Sequence, residues 1–210
     1  MEHKLFIIGV SGGIGSGKSS FAALLGDAGI PVLDADKISH QMTAAGGASM
    51  SEIARVFGEN FLKDDGSLNR EAMAELAFHD KKALDILSAI VHKDVFAYMD
   101  KAILELAEKG ENSVVLDVPI PVKEGFLDRC DVIVCLWTDY EIRLERLAKR
   151  GMKTDEAKRR MAVQMTEEEY RRISDYFILN NGSFEDLRRA AQDFLEKELS
   201  SRGLTFKSLI

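Results

Sequence analysis

Leu5-Phe6-Ile7-Ile8-Gly9-Val10-Ser11-Gly12-Gly13-Ile14-Gly15-Ser16-Gly17-Lys18-Ser19-Ser20 decides how the rest of the chain is read. Its first six residues are apolar on both faces, the pattern of a strand buried within a parallel sheet. A glycine-rich turn follows, and Ser19-Ser20-Phe21-Ala22-Ala23-Leu24-Leu25 continues as a helix. Between strand and helix, Gly12 to Ser19 matches G-x-x-x-x-G-K-[ST] at every fixed position. The spacing has a physical reason. Glycines let successive backbone N–H groups turn inward around a phosphate, where a Cβ would obstruct them. Lys18 then reaches the β- and γ-phosphates, and the Ser19 hydroxyl is placed to ligate Mg²⁺. The helix that starts near Gly17 points its positive end at the anion. Gly13, Ile14, Gly15, Ser16, Gly17, Lys18, Ser19 and Ser20 are the candidate nucleotide-binding residues. No Asn-Lys-x-Asp guanine-reading motif occurs, which favours ATP over GTP.

Outward from this stretch, strands and helices alternate. A short second strand, Pro31-Val32-Leu33, ends at Asp34-Ala35-Asp36. From about Lys37 to Gly110 the pattern is helical, interrupted at Gly46-Gly47, Gly58 and Asp64-Asp65-Gly66. Strand signals return at Ser113 to Val118 and at Asp131 to Trp137, with helices at about 139–150 and 155–172. A last strand, Tyr176 to Leu179, turns at Asn180-Asn181-Gly182 into a helix from about Phe184. This order predicts an α/β fold with a five-stranded parallel sheet and right-handed crossovers. The block at 37–110 reads as an insertion between the second and third strands.

Composition narrows the function. The 210 residues are 46% hydrophobic and 30% charged, a globular balance. With 28 Lys and Arg against 35 Asp and Glu, the net charge of −7 disfavours broad nucleic-acid binding. The two cysteines, Cys130 and Cys135, form no CxxC pair and read as small buried hydrophobes. No apolar stretch approaches the ~18 residues of a membrane helix, and no signal-peptide core precedes the first strand. The expectation is a cytoplasmic protein, without membrane or nucleic-acid partners, as a monomer or small homo-oligomer. His3, His40, His79 and His92 make no ligand spacing such as HExxH. On the apolar pattern around it, His92 reads as a packed histidine, and Trp137 as core.

Carboxylates and arginines supply the remaining candidates. Asp34 and Asp36 follow the second strand, and the carboxyl ends of parallel strands gather at a ligand crevice. Asp36 is the candidate general base for a hydroxyl acceptor, and Asp34 could equally cap the next helix; helix capping or solvation also suits both acids. Asp117, at the end of the third strand, fits an acid that holds Mg²⁺ through water; a plain strand end is the competing account. From Arg143 to Arg160 stand eight basic residues and three acidic ones. Arg143, Arg146 and Arg150 share one helix face by spacing. A solvated face explains many such runs, but downstream of a phosphate loop these arginines fit a clamp on the transferring phosphate.

Taken together, these residues resemble the dephospho-coenzyme A kinase family. The likeness runs through Gly9 to Ser19, Leu33 to His40, Phe57-Gly58, Asp65-Gly-Ser-Leu-Asn-Arg70, Leu116-Asp-Val-Pro119, Arg143 to Gln164, and Asp175 to Gly182. The resemblance implies a three-layer, phosphate-loop kinase-like fold and ATP-dependent phosphorylation of the ribose 3′-hydroxyl of dephospho-coenzyme A, the last step of coenzyme A synthesis. It implies a nucleotide core (1–37, 111–138, 173–210), a helical acceptor-binding subdomain (38–110) and a lid (139–172). Asp36 would be the base, Lys18, Arg146 and Arg150 would act on the phosphates, and Asn180 would lie near the adenine. Arg70, His92, Asp36 and Asp117 would belong to the acceptor side, with ATP and Mg²⁺ as co-substrate and cofactor. Departures are Ile120-Pro121-Val122-Lys123 with Glu124 where the family carries Leu-Leu-Phe-Glu, Lys93 for proline, Tyr170 for lysine and Ser174 for alanine. A related kinase of another metabolite or nucleoside, or an ATP-binding regulatory protein, remains an alternative.

Overall fold

β1 (Phe6–Gly12) runs down the middle of the five parallel strands of the computed structural model, which describes residues 5–119 and 126–210. The order is β2 (Val32–Asp34), β3 (Ser113–Asp117), β1, β4 (Val132–Trp137), β5 (Tyr176–Leu179). Val10 lies opposite Asp117 and Ser11 opposite Cys135, so the strands end together at one edge. At the other flank of β3, Asp34 lies opposite Asp117.

Period-two alternation explains why the sheet is covered on both faces. Val132, Val134 and Leu136 of β4 join Ile8 and Val10 in a core closed by α1 (Lys18–Asp27) and α9 (Phe184–Glu198). There Phe21 meets Phe194 edge-on, ring centres 6.0 Å apart. Ile133, Cys135 and Trp137 of the same strand point to the opposite face and pack with Tyr170. Each large side chain so buried contributes roughly 1.5–3 kcal/mol, and the layers hold the strand ends in fixed register. Tyr170 lies on α8 (Glu167–Ile173), which follows α6 (Tyr140–Lys149) and α7 (Thr154–Ala162).

The chain divides into two compact units, one up to Asp34 and from Glu105 onward, the other Ala35–Leu104. The second holds α2 (Ala35–Met42), α3 (Met50–Phe57), α4 (Arg70–His79) and most of α5 (Lys81–Glu108). Helices α6 to α8, in the span expected as a lid, belong to the first unit.

Three sequence expectations are corrected. The single helix at 155–172 is two, α7 and α8, because Thr166 and Glu169 form a capping box that starts a new helix after exposed Val163. His92 is exposed on α5 rather than packed. Trp137 is half-buried, its ring 5.9 Å from that of Tyr170. The departures at 120–124 lie outside the described residues. Among the described residues no helix is long and apolar enough to cross a membrane.

Candidate functional site

The glycine-rich loop is shaped by backbone that side chains could not follow. Gly15 and Gly17 sit at φ 79° and 94°, a region costly for any residue with a Cβ. At Gly17 a Cβ would also collide with the side-chain amide of Asn180. Helix α1 starts at the next residue, with no side-chain cap and no acid in its first turn. Among the described residues its first N–H groups therefore have no side-chain acceptor, an arrangement suited to an anion. Lys18 is buried, and its ammonium pairs with the carboxylate of Asp117, which is only 2% exposed. Ser19, next along α1, is exposed. Among the described residues no group of three His, Cys, Asp or Glu could by itself hold a metal. The Ser19 hydroxyl and the Asp117 carboxylate are oxygen donors, the kind that Mg²⁺ accepts beside phosphate oxygens.

Two sets of hydrogen bonds hold this loop. On one side, Asn180 Nδ2 donates to the Ser16 carbonyl at 2.8 Å, and the Thr138 hydroxyl lies 3.1 Å from that oxygen. On the other, Arg143 Nε donates to the Ile14 carbonyl at 2.8 Å, while Arg143 Nη2 donates to Gln164 Oε1 at 2.6 Å. The same Oε1 accepts from the Ile14 N–H at 3.0 Å. Both polar groups of Ile14 are thereby engaged, and its side chain packs with Leu147, Ala157 and Met161. The Ile14 N–H, expected among the phosphate donors, is instead committed to Gln164. Arg143 is correspondingly not free for a clamp: it is 4% exposed, lies over the Trp137 ring at 5.3 Å, and burial lowers its pKa. It stays charged regardless.

Beside the loop lies a cavity of about 380 Å³ lined by Gly15, Gly17, Arg146, Arg150, Asn180 and Phe184, among others. Arg146 donates to Thr138 Oγ1 at 3.1 Å and to the Gly182 carbonyl at 3.3 Å. Its pKa is lowered by burial and then by the like charge of Arg150. Neither arginine makes an ion pair with a described acid, so the cavity wall carries uncompensated positive charge.

In the second unit, the run Asp65 to Arg70 builds a presenting loop. Asp65 Oδ1 accepts from the Ser67 N–H at 2.9 Å and the Ser67 hydroxyl at 2.6 Å, closing the turn and lowering the Asp65 pKa. Leu68 is buried, its N–H donating to the Thr43 carbonyl at 3.0 Å. Asn69 Oδ1 caps α4 through the Ala72 N–H. Arg70 is thus the first residue of α4, held by Thr43 Oγ1 at 2.7 Å and His40 Nδ1 at 3.1 Å. Asp36 is exposed in the first turn of α2, two residues after β2 ends.

The loop residues, Lys18, Asp117, Arg146, Arg150 and Asn180 therefore come together in the first unit. Arg70 and Asp36 belong to the second, as does His92 on α5. Sequence reasoning missed Thr138 and the bracing roles of Gln164 and Arg143. The one local signal was a threonine just past β4, where strand ends meet.

A central strand running into this loop and helix, over an all-parallel sheet, defines a P-loop kinase. The family model "Dephospho-CoA kinase" matches residues 6–186, and the chain belongs to that family. A dephospho-CoA kinase of Corynebacterium glutamicum is 34% identical over 194 residues, 92% of this chain and 97% of the relative. The crystal structure of TT1252 from Thermus thermophilus is 35% identical with a TM-score of 0.76, covering 92% of this chain and 98% of that one. A dephospho-CoA kinase from Campylobacter jejuni, 24% identical, shares the fold at a TM-score of 0.70, with 94% and 98% covered.

Proposed function

We propose that this kinase transfers the γ-phosphoryl group of ATP to the ribose 3′-hydroxyl of dephospho-coenzyme A, giving ADP and coenzyme A. The observation that carries the ATP half is the α1 N-terminus. Its amides have no side-chain acceptor among the described residues, beneath a braced glycine loop and beside a buried lysine. Family membership carries the acceptor half.

In this reading the loop amides from Gly15 onward and Lys18 hold the β- and γ-phosphates, with Lys18 exchanging Asp117 for phosphate oxygen. Arg146 and Arg150 neutralise charge growing on the departing β-phosphate. The cavity they line would take the nucleoside, with Asn180 at its wall. Ser19 and Asp117 are the residues that would hold Mg²⁺, which would neutralise charge on the phosphates. Asp36 accepts the proton of the 3′-hydroxyl as its oxygen bonds to the γ-phosphorus and the bond to the β-phosphate oxygen breaks. Positioning and electrostatics supply most of the rate, since phosphoryl transfer needs little covalent help. Arg70 and His92 fall on the acceptor side, residues 38–110 form the acceptor-binding part, and residues 139–172 act as the lid over the phosphates.

Coupled detection of ADP, with dephospho-coenzyme A and a panel of nucleosides and other hydroxyl metabolites, tests the proposal. Rapid ADP release is expected with dephospho-coenzyme A alone. Faster release with another acceptor would reassign the substrate, and tight ATP binding without release would leave a regulatory protein.

A further inference from the structure

We propose that His40 and Thr43 are positioning residues that aim Arg70 at an anionic group of the acceptor; the inference rests on the reading of Arg70 as an acceptor-side residue. Arginine has only donors. Arg70 Nη2 approaches Thr43 Oγ1 at 2.7 Å and His40 Nδ1 at 3.1 Å, so both partners must accept. The threonine is fixed in that role: Oγ1 lies 2.9 Å from the Ser39 carbonyl, where its own proton goes, and the residue is 4% exposed. His40 accepts only with Nδ1 unprotonated, which puts its ring proton on Nε2.

The choice of partners matters as much as the geometry. Arg70 makes no ion pair with any described acid, so its hold is by two neutral acceptors. A carboxylate there would grip the guanidinium but also cancel its charge. Neutral acceptors fix the guanidinium plane, leave Nε and Nη1 without a partner among the described residues, and leave the full positive charge for a ligand anion. Asp36 and His40 are four residues apart on α2, on one helix face. The proposed base and the anion grip therefore belong to the same unit, His40 lying one helical turn from Asp36 and bonded to Arg70.

Isosteric pairs test this in steady-state kinetics of the full chain. Thr43→Val and His40→Leu remove the acceptors, and each is expected to raise KM for dephospho-coenzyme A about tenfold, with KM for ATP unchanged. Thr43→Ser and His40→Asn, whose Oδ1 stands where Nδ1 stood, restore KM to near the starting value. With Arg70→Ala, adding Thr43→Val has no further effect on KM. Unchanged acceptor KM in Thr43→Val and His40→Leu, with a raised KM in Arg70→Ala, overturns the positioning role alone. Unchanged KM in Arg70→Ala overturns the acceptor-side reading of Arg70, and the positioning role with it. A fall in thermal midpoint that the serine and asparagine variants share, with KM for both substrates rising together, identifies a merely structural role and also overturns the proposal.

Discussion

Arg143 and Ile14, 129 residues apart in sequence, are joined by a 2.8 Å hydrogen bond from guanidinium Nε to backbone carbonyl. Gln164 closes the arrangement by accepting from both residues. The tip of the phosphate loop is thus fastened at its carbonyl, its N–H and its side chain to α6 and the α7–α8 turn. Preorganisation of this kind lowers the ordering cost when phosphate binds.

Breaking that fastening should separate the two substrates. Arg143→Met keeps the aliphatic stem but leaves the Ile14 carbonyl without its donor. It should lower stability by about 1–3 kcal/mol and raise KM for ATP by roughly tenfold. KM for dephospho-coenzyme A should stay unchanged. Urea unfolding and kinetics with each substrate varied in turn measure the three quantities.

Gly17 carries both a left-handed backbone and a tight neighbour. Gly17→Ala adds about 1–2 kcal/mol of backbone strain and drives Cβ into the Asn180 amide. ATP affinity, read by isothermal titration, should drop at least ~10-fold. Pairing it with Asn180→Gly removes the collision but not the strain, so recovery should be partial.

The acceptor proton needs a base. Asp36→Asn should cut turnover at least ~100-fold, the scale of general-base loss, while ATP affinity survives. Single-turnover quench-flow with bound ATP isolates the chemical step, and near-normal transfer would remove Asp36 from the mechanism.

Alkaline pH should weaken the fold through its thiols. Burial pushes the Cys130 and Cys135 thiols up from their ordinary 9.0 to about 12. Between those values the unfolded chain sheds thiol protons that the folded one keeps, so unfolding becomes easier as pH rises. The stabilisation is whole below about pH 9.0 and lost progressively towards about 12. Denaturant midpoints followed across that window should fall, and fall less steeply in the double alanine variant.

The first strand, the loop and α1 were readable because their signals are local: an apolar run, then glycines and Lys18-Ser19 at fixed spacing. The break at Asp64-Asp65-Gly66 was readable for the same reason, since Asp65 closes a turn on Ser67, whereas Leu68 and Arg70 meet Thr43 only through the fold. Arg143 misled, because its spacing with Arg146 and Arg150 describes a shared helix face but not what that face packs against. Its partner Ile14 and the shared Gln164 meet only through tertiary folding, the latter 150 residues from the loop. The break between α7 and α8 was written in Thr166 and Glu169, a capping box hidden inside a charged helical pattern.

Phosphorus NMR of the product mixture, with ATP and dephospho-coenzyme A as the two substrates, tests the central claim most directly. The expected spectrum gains one phosphomonoester signal, coupled to the ribose 3′ proton, that grows in step with ADP. ADP accumulating with inorganic phosphate alone, or a new ester coupled to any other carbon, would contradict the assignment.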